Sequence, residues 1–372
     1  MTRRDFIGRA ARAGAGLALA GCTTGVRSGA VRPEPAFMWS ALLHLGINSW
    51  ADGPLSHWGG VKRGDRDEYV MRLREAQPCL RTTDAEWRFC VDGMAKAGMN
   101  QVIIDMAEGI RYESHPELAV EGSWPIEKFR RELDYIRALG MEPIPKMNFS
   151  TAHDTWLKDY HRMVSTPTYY RVCADLLREV YEIFDKPRLF HLGYDEETAE
   201  HQALYQFAVI RQGELWWHDF LWFHDQVRRL GARTWIWADK IWHHRADLER
   251  RMPREVLMSN WYYGEEFDLA KLTNEFTRNR VRAYAWLDAA GFDQVPTGSN
   301  CGFRTKTNLR SFEETVANCS KIISPTHLKG FCMASWSRQV PEYHAQNAHA
   351  IASCAAAKAI YASQVASGAA GS

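Results

Sequence analysis

The sequence predicts an α/β protein, a (β/α)8 TIM barrel forming a single catalytic domain. Three observations lead there. Short apolar runs alternate along the chain with segments whose apolar residues recur at helical spacing. The runs number eight. The positions just past almost every run are polar or aromatic, and a barrel of this kind builds its active site at the carboxyl ends of its strands. A doubly wound open sheet is the competing architecture.

Taken in order, the expected strands are 41–47, 101–106, 142–147, 188–192, 234–238, 256–260, 281–286 and 331–335. Cys173, Leu176, Leu177, Val180, Ile183 and Phe184 share one helical face, behind Thr166 as cap and Pro167 in the first turn. Thr83 with Glu86 and Ser311 with Glu314 have the spacing of capping boxes. Gly98, Gly140 and Gly231 each close a helical stretch ahead of a strand. Reading past the strands gives Asn48 and Trp50, then Glu108, Asn148 with His153 and Asp154, Asp195 with Glu196, Asp239 with Trp242, Trp261 with Tyr262, Asp288, and Trp336 with Arg338. Fifteen tryptophans is high for this length, and several stand at these ends, where indole faces can stack on a pyranose. Trp216, Trp217 and Trp222 lie inside a helical stretch and read as packing residues.

The amino-terminal residues concern address. Thr2-Arg3-Arg4-Asp5-Phe6-Ile7 is a twin-arginine export pattern ahead of a weakly apolar stretch too short to serve as a membrane anchor. Leu19-Ala20-Gly21-Cys22 resembles a lipobox, so residues 1–22 are expected to be a lipoprotein signal with Cys22 lipidated. Residues 23–36 then form a flexible tether, 37–363 the barrel, and 364–372 a disordered tail. The expected location is an exported, membrane-anchored lipoprotein, periplasmic or cell-surface. Without residues 1–21 the balance is 42 basic against 44 acidic residues, with no clustered basic face, so nucleic acid is not an expected partner. The seven other cysteines are scattered without metal spacing, and the adjacent pair His243-His244 is poorly placed to ligate one ion, so neither metal nor cofactor is expected. The oligomeric state is not legible.

Residues 190–197 read F-H-L-G-Y-D-E-E and carry the chemistry. Neighbouring strand side chains face opposite sides of a sheet, so Asp195 and Glu196 share a site only where the chain turns out of the strand, and Gly193 supplies that turn. The ionised Asp195 is expected to raise the pKa of Glu196 toward that of a general acid. The alternative is structural, with Asp195 capping a following helix and Glu196 in its first turn.

His191-Leu192-Gly193-Tyr194-Asp195-Glu196 resembles the H-(I/L)-G-G-D-E signature of family 20 glycoside hydrolases, the β-N-acetylhexosaminidases. Residues 141–146 with His153, then Trp235-Ile236-Trp237-Ala238-Asp239, Asn260-Trp261, Trp286-Leu287-Asp288 and 330–336 are similar in order to further strand motifs of that family. The resemblance spans residues 95–340. It implies substrate-assisted retention: the sugar's own 2-acetamido oxygen attacks the anomeric carbon, Asp195 orients the acetamide, and Glu196 protonates the leaving oxygen and later activates water. It also implies a sugar pocket of Asn148, His153, Trp237, Asp239, Trp261, Tyr262, Trp286, Asp288 and Trp336, and a carbohydrate partner with a terminal amino sugar or related glycone. The chain departs from the pattern in five ways, the first being that the first strand, L-H-L-G-I-N, lacks the family's sugar-binding arginine. Tyr194 replaces a glycine and would set a ring beside the acids. Trp286 stands where the family has a tyrosine hydroxyl, whose role Tyr262 could take. Arg338 replaces a glutamate and would face sugar hydroxyls or an anionic substituent. The small α/β domain that usually precedes the barrel in that family is not expected here. Two other readings stay open: an ordinary retaining glycosidase with Asp288 as covalent nucleophile, and a non-catalytic glycan-binding surface lipoprotein.

Overall fold

The computed structural model describes residues 37–53 and 74–369; the twin-arginine segment, Cys22 and the tether lie outside the described residues. Strands and helices alternate strictly: β1 (Met38–His44), α1 (Asp84–Lys96), β2 (Gln101–Asp105), α2 (Ile126–Ala138), β3 (Glu142–Lys146), α3 (Pro167–Ile183), β4 (Leu189–His191), α4 (Gly213–Leu230), β5 (Arg233–Trp237), α5 (Ile241–Arg251), β6 (Leu257–Ser259), α6 (Glu275–Ala289), β7 (Thr297–Gly298), α7 (Ser311–Ile322), β8 (Gly330–Ala334) and α8 (His344–Ala369). The ladders run in parallel in the order β6-β5-β4-β3-β2-β1-β8-β7. Between β6 and β7 the bridges Met258↔Gln294 and Trp261↔Thr297 close the ring. The fold is the expected (β/α)8 barrel.

Local chemistry explains most boundaries. Thr83 and Thr166 each accept a hydrogen bond from a first-turn amide of α1 and α3, and Pro167 opens α3. Gly231 ends α4 at φ 93, a conformation that costs an L side chain about 1 kcal/mol or more. Ser311 departs from expectation: it is the first residue of α7 rather than its cap, and its hydroxyl accepts from the Ser299 amide instead. Helix α8 runs on to Ala369, so residues 364–369 are helical where a disordered tail was expected.

The seventh strand is the main correction. Residues 281–286 lie inside α6, which Asn274 caps by accepting from the Phe276 amide, and Val281, Ala283, Tyr284 and Leu287 form its buried stripe. That spacing is helical; the apolar alternation of V-R-A-Y-A-W only mimics a strand. The true β7 has two residues and no β-branched run to announce it. Trp286 and Asp288 therefore leave the barrel mouth. Asp288 accepts from the Ser324 hydroxyl at 2.7 Å and contacts His327 at 2.8 Å, in the loop that enters β8 at the barrel's amino end. Trp286 carries the Arg245 guanidinium 4.8 Å over its ring. The covalent-nucleophile reading falls with that placement.

The layer below the mouth is polar. In register, His44 pairs with Asp105, Asp105 with Lys146, Lys146 with His191 and His191 with Trp235. Lys146 and Asp105 form a buried ion pair. Burial, and then the Lys146 charge, push His44 and His191 well below the usual imidazole range, so both stay neutral in the floor. The Gly193 amide donates to His191 Nδ1 at 3.0 Å, tying the floor to the turn above it.

A second buried knot ties the loops together from outside. Arg211 donates to Tyr194 Oη at 2.9 Å, to the Phe149 carbonyl at 2.6 Å and to Asp219 Oδ2 at 3.3 Å, and it pairs with Glu197. One guanidinium thus joins the loops after β3 and β4 to helix α4. Replacing it strands two buried carboxylates. We predict that Arg211→Leu lowers unfolding free energy by about 3–5 kcal/mol in urea titration. A loss under about 1 kcal/mol would show that the knot is dispensable.

Candidate active site

The two acids reach one side because the chain leaves β4 in a contorted turn. Gly193, Tyr194 and Glu196 take φ of 72°, 72° and 57°. A Cβ on Gly193 would sit 2.0 Å from Asn148 Oδ1, so no other residue fits there. Asn148 holds the turn: its Oδ1 accepts from the amides of Ser150 and Tyr194 at 3.0 and 3.3 Å, and its Nδ2 donates to Asp195 Oδ1 at 2.9 Å. Ser150 donates its hydroxyl to the Asp195 carbonyl, and the Glu196 amide donates to Asp239 Oδ2 at 2.9 Å. The stretch after the acids is a run of turns, with α4 beginning only at Gly213, so Asp195 does not cap a helix.

His153 stands between the acids, with Nε2 3.3 Å from Asp195 Oδ2 and 3.3 Å from Glu196 Oε2. His201, which the sequence reading missed, contacts Glu196 Oε1 through Nε2 at 3.1 Å. These partners overturn the expected pKa order. Burial pushes Glu196 up, but hydrogen bonds from His153 and His201 outweigh it and hold the carboxyl well below its ordinary range. Asp195 follows the same pattern, its burial outweighed by His153. Burial also opposes charge on His153, yet the two carboxylates lift it to about 10, so it is an imidazolium at neutral pH. The acid with a raised pKa is Asp239, pushed to about 7 by burial and then by the Asp195 charge. Atoms of His153, Asp195 and Glu196 lie within 4.8 Å of one another, close enough to hold a cation, although their hydrogen bonding already accounts for the cluster.

The walls are aromatic. Trp237 ends β5, fully buried, with its ring centroid 5.9 Å from that of Trp336, which follows β8. Trp336 lies 5.5 Å from His44 and donates Nε1–H to Tyr263 Oη at 2.8 Å. Tyr263 stacks on Trp261 at 5.0 Å. Trp50 meets His153 edge-on at 5.9 Å. Tyr262 is not the mouth tyrosine: its hydroxyl donates to the Glu266 carbonyl and its ring packs on Phe267. Tyr263, one residue on, takes that position; the doubled tyrosine in W-Y-Y left the choice open in sequence. The Tyr194 ring also turns away from the acids, into Trp216, Phe220 and Phe223. Arg338 is buried and its pKa is pushed down to about 9 by burial and by Arg81, which makes it part of the mouth's packing rather than an exposed sugar contact.

The structure thus brings together Asp195, Glu196, Asn148, His153, Asp239, Trp237, Trp261 and Trp336, and excludes Trp286 and Asp288. A neighbouring cavity is lined by Glu196, His201, Asp239, Lys240, Trp242 and Arg280 among others. The arrangement offers a buried carboxylate, a second half-exposed carboxylate and a shared imidazolium between them, under indole rings.

No protein-family model matches the sequence, and no curated protein does. Solved structures do. A family 20 exo-β-N-acetylglucosaminidase from Vibrio harveyi, in complex with N-acetylglucosamine, superposes with a TM-score of 0.52 at 13% identity, over 86% of this chain and 54% of that one. A chitobiase from Flavobacterium johnsoniae gives 0.53 at 16% identity, over 77% and 49%. The N-acetyl-β-hexosaminidase of Streptomyces plicatus gives 0.53 at 13% identity, over 88% and 68%. The chain spans about half the length of the first two. At these identities the likeness is one of fold: the chain has the barrel that family 20 β-N-acetylhexosaminidases use.

Proposed function

We propose that the protein is an exported glycoside hydrolase, anchored through Cys22, that removes a terminal 2-acetamido sugar with retention of configuration. The observation that carries this reading is the His153–Asp195–Glu196 cluster at the carboxyl ends of the strands, under Trp237 and Trp336, in a barrel shared with enzymes named for such sugars. In the first step the acetamide oxygen bonds to the anomeric carbon as the glycosidic C–O bond breaks, and Glu196 gives its proton to the leaving oxygen. In the second, water bonds to the anomeric carbon, the oxazolinium C–O bond breaks, and Glu196 takes the proton from water. Asp195, fixed by Asn148, accepts the acetamide N–H and balances the oxazolinium charge.

The resting Glu196 is ionised, so its proton needs a source. His153 holds one, 3.3 Å from Glu196 Oε2. A sugar that covers Glu196 strips it of water and displaces His201, which raises its affinity for that proton. Tyr263, with its hydroxyl oxygen occupied as an acceptor by Trp336, keeps its O–H free to donate to the acetamide oxygen, the role the sequence left without an owner.

Two predictions follow from this assignment. Glu196→Gln should lower kcat on a chromogenic N-acetylglucosaminide by about 10²- to 10⁴-fold with KM little changed; hydrolysis within threefold of wild type would leave the glycan-binding reading in its place. The second concerns pH. His153 has a folded pKa of about 10 against an ordinary 6.5, so its contribution to stability is complete below pH 6.5 and is lost as pH rises through about 10. Melting temperature should fall across that window, and His153→Gln should flatten the fall; parallel wild-type and variant profiles would refute the charged His153.

A further inference from the structure

The cavity beside Glu196 contains two cations that the hydrolytic scheme does not use. Arg280, on α6, has its guanidinium carbon 4.4 Å from the Trp242 ring, 4.5 Å from Trp261 and 4.4 Å from Phe276. Its Nε is buried without a hydrogen-bond partner, and among the described residues no carboxylate pairs with it. Lys240, just past β5, holds its ammonium 4.4 Å over Trp216, again with no carboxylate partner among the described residues. Stacking does not by itself exclude pairing. Arg88, Arg211 and Arg251 also lie over rings, and each holds a glutamate: Glu132, Glu197 and Glu214.

The carboxylates that line the cavity are engaged by other partners: Glu197 by Arg211, Glu196 by His153 and His201, and Asp239 by the Glu196 amide. Burial and then the charges of Arg280 and Lys240 push His243 below its ordinary range, and burial and Lys240 do the same to His244. A guanidinium clamped between rings keeps its in-plane N–H donors fixed and free at the edge, the geometry that takes a carboxylate or sulfate in two parallel hydrogen bonds. Burial opposes the Arg280 charge, Glu196 and Asp239 favour it without pairing directly, and an anion within hydrogen-bond reach offsets the cost of burial.

We infer that this cavity receives an oxyanion, carboxylate or sulfate, borne by the carbohydrate close to the scissile bond, and that Arg280 and Lys240 hold it. The inference rests on the hydrolase reading above for the identity of the bond, and deepens it by naming the substrate class. It places the anion-recognising residues on β5–α5 and α6, away from Arg338.

The test compares a neutral chromogenic N-acetylglucosaminide with its O6-sulfate ester, and a neutral N-acetylglucosaminyl disaccharide with one whose second sugar is a uronic acid. For the wild type, at least one anionic member should exceed its neutral counterpart in kcat/KM by about tenfold or more at low salt. Which pair responds separates sulfate on the terminal sugar from carboxylate on its neighbour. Arg280→Met and Lys240→Met should each cut that ratio by about tenfold, with Lys240→Met sufficient if the loss of Arg280 unfolds the protein. Equal or lower kcat/KM for both anionic substrates, or a preference that survives both substitutions, overturns the inference while leaving hydrolysis standing. If nothing is cleaved, calorimetric titration of wild type and Lys240→Met with N-acetylglucosamine, its sulfate, and the neutral and uronate-bearing disaccharides decides it separately: an anion preference lost in the variant supports the cavity assignment though the hydrolase reading has failed, and no preference for either anionic ligand overturns the inference as well.

Discussion

Gly193, Tyr194 and Glu196 all adopt left-handed backbone, and the hydrogen bonds made with Asn148, Ser150 and Asp239 are what keep them there. Each non-glycine residue in that region costs of order 1 kcal/mol or more, so the turn persists only because its neighbours over-determine it. The consequence is geometric. Adjacent residues that would diverge in a strand instead turn both carboxylates toward one imidazole. Everything proposed for the site, from the shared proton to the sugar pocket, requires that turn. Arg211 secures it from behind by taking the Tyr194 hydroxyl and Glu197, so the tyrosine that replaces a glycine here is part of the clamp rather than an obstacle.

The electrostatics of the site are set by counting bases as well as acids. Considered alone, two neighbouring carboxylates force a proton onto one of them. With His153 between them and His201 on the far oxygen of Glu196, both ionise and the proton stays on the imidazole. The strain of three nearby carboxyl groups is then relieved at Asp239, whose carboxyl group accepts from the Glu196 amide. On the proposed mechanism, a proton moves from His153 to Glu196 when a sugar excludes water, which would couple substrate binding to acid formation.

How much of this was legible in sequence follows the same physics. Strands β2 to β6 and β8 fall within short apolar runs that can be seen in the sequence, and the glycine and threonine caps mark several of the helices between them. β7 has two residues, Thr297 and Gly298, and owes its existence to neighbours on both sides, so no local signal could reveal it. The apolar alternation at 281–286 filled the gap in the count and carried Trp286 and Asp288 into the site with it. Trp237 was legible because it ends a readable strand, and Asp195, Glu196, Asn148, His153 and Asp239 because each follows one by two to seven positions. His201, Tyr263, Arg280 and Lys240 were not: they come from irregular loops, the residue just before α5 and the second turn of α6, and only the closed barrel brings them near Glu196.

In the proposed mechanism Asp195 stabilises an oxazolinium ion formed by the substrate's own acetamide. The most direct measurement is calorimetric binding of a stable thiazoline mimic of that bicyclic ion, compared with N-acetylglucosamine, in wild type and Asp195→Asn. Wild type is expected to bind the mimic at least about 100-fold more tightly than the sugar, and the substitution to remove most of that advantage. Equal affinity for the two ligands, or an advantage that Asp195→Asn leaves intact, would contradict it.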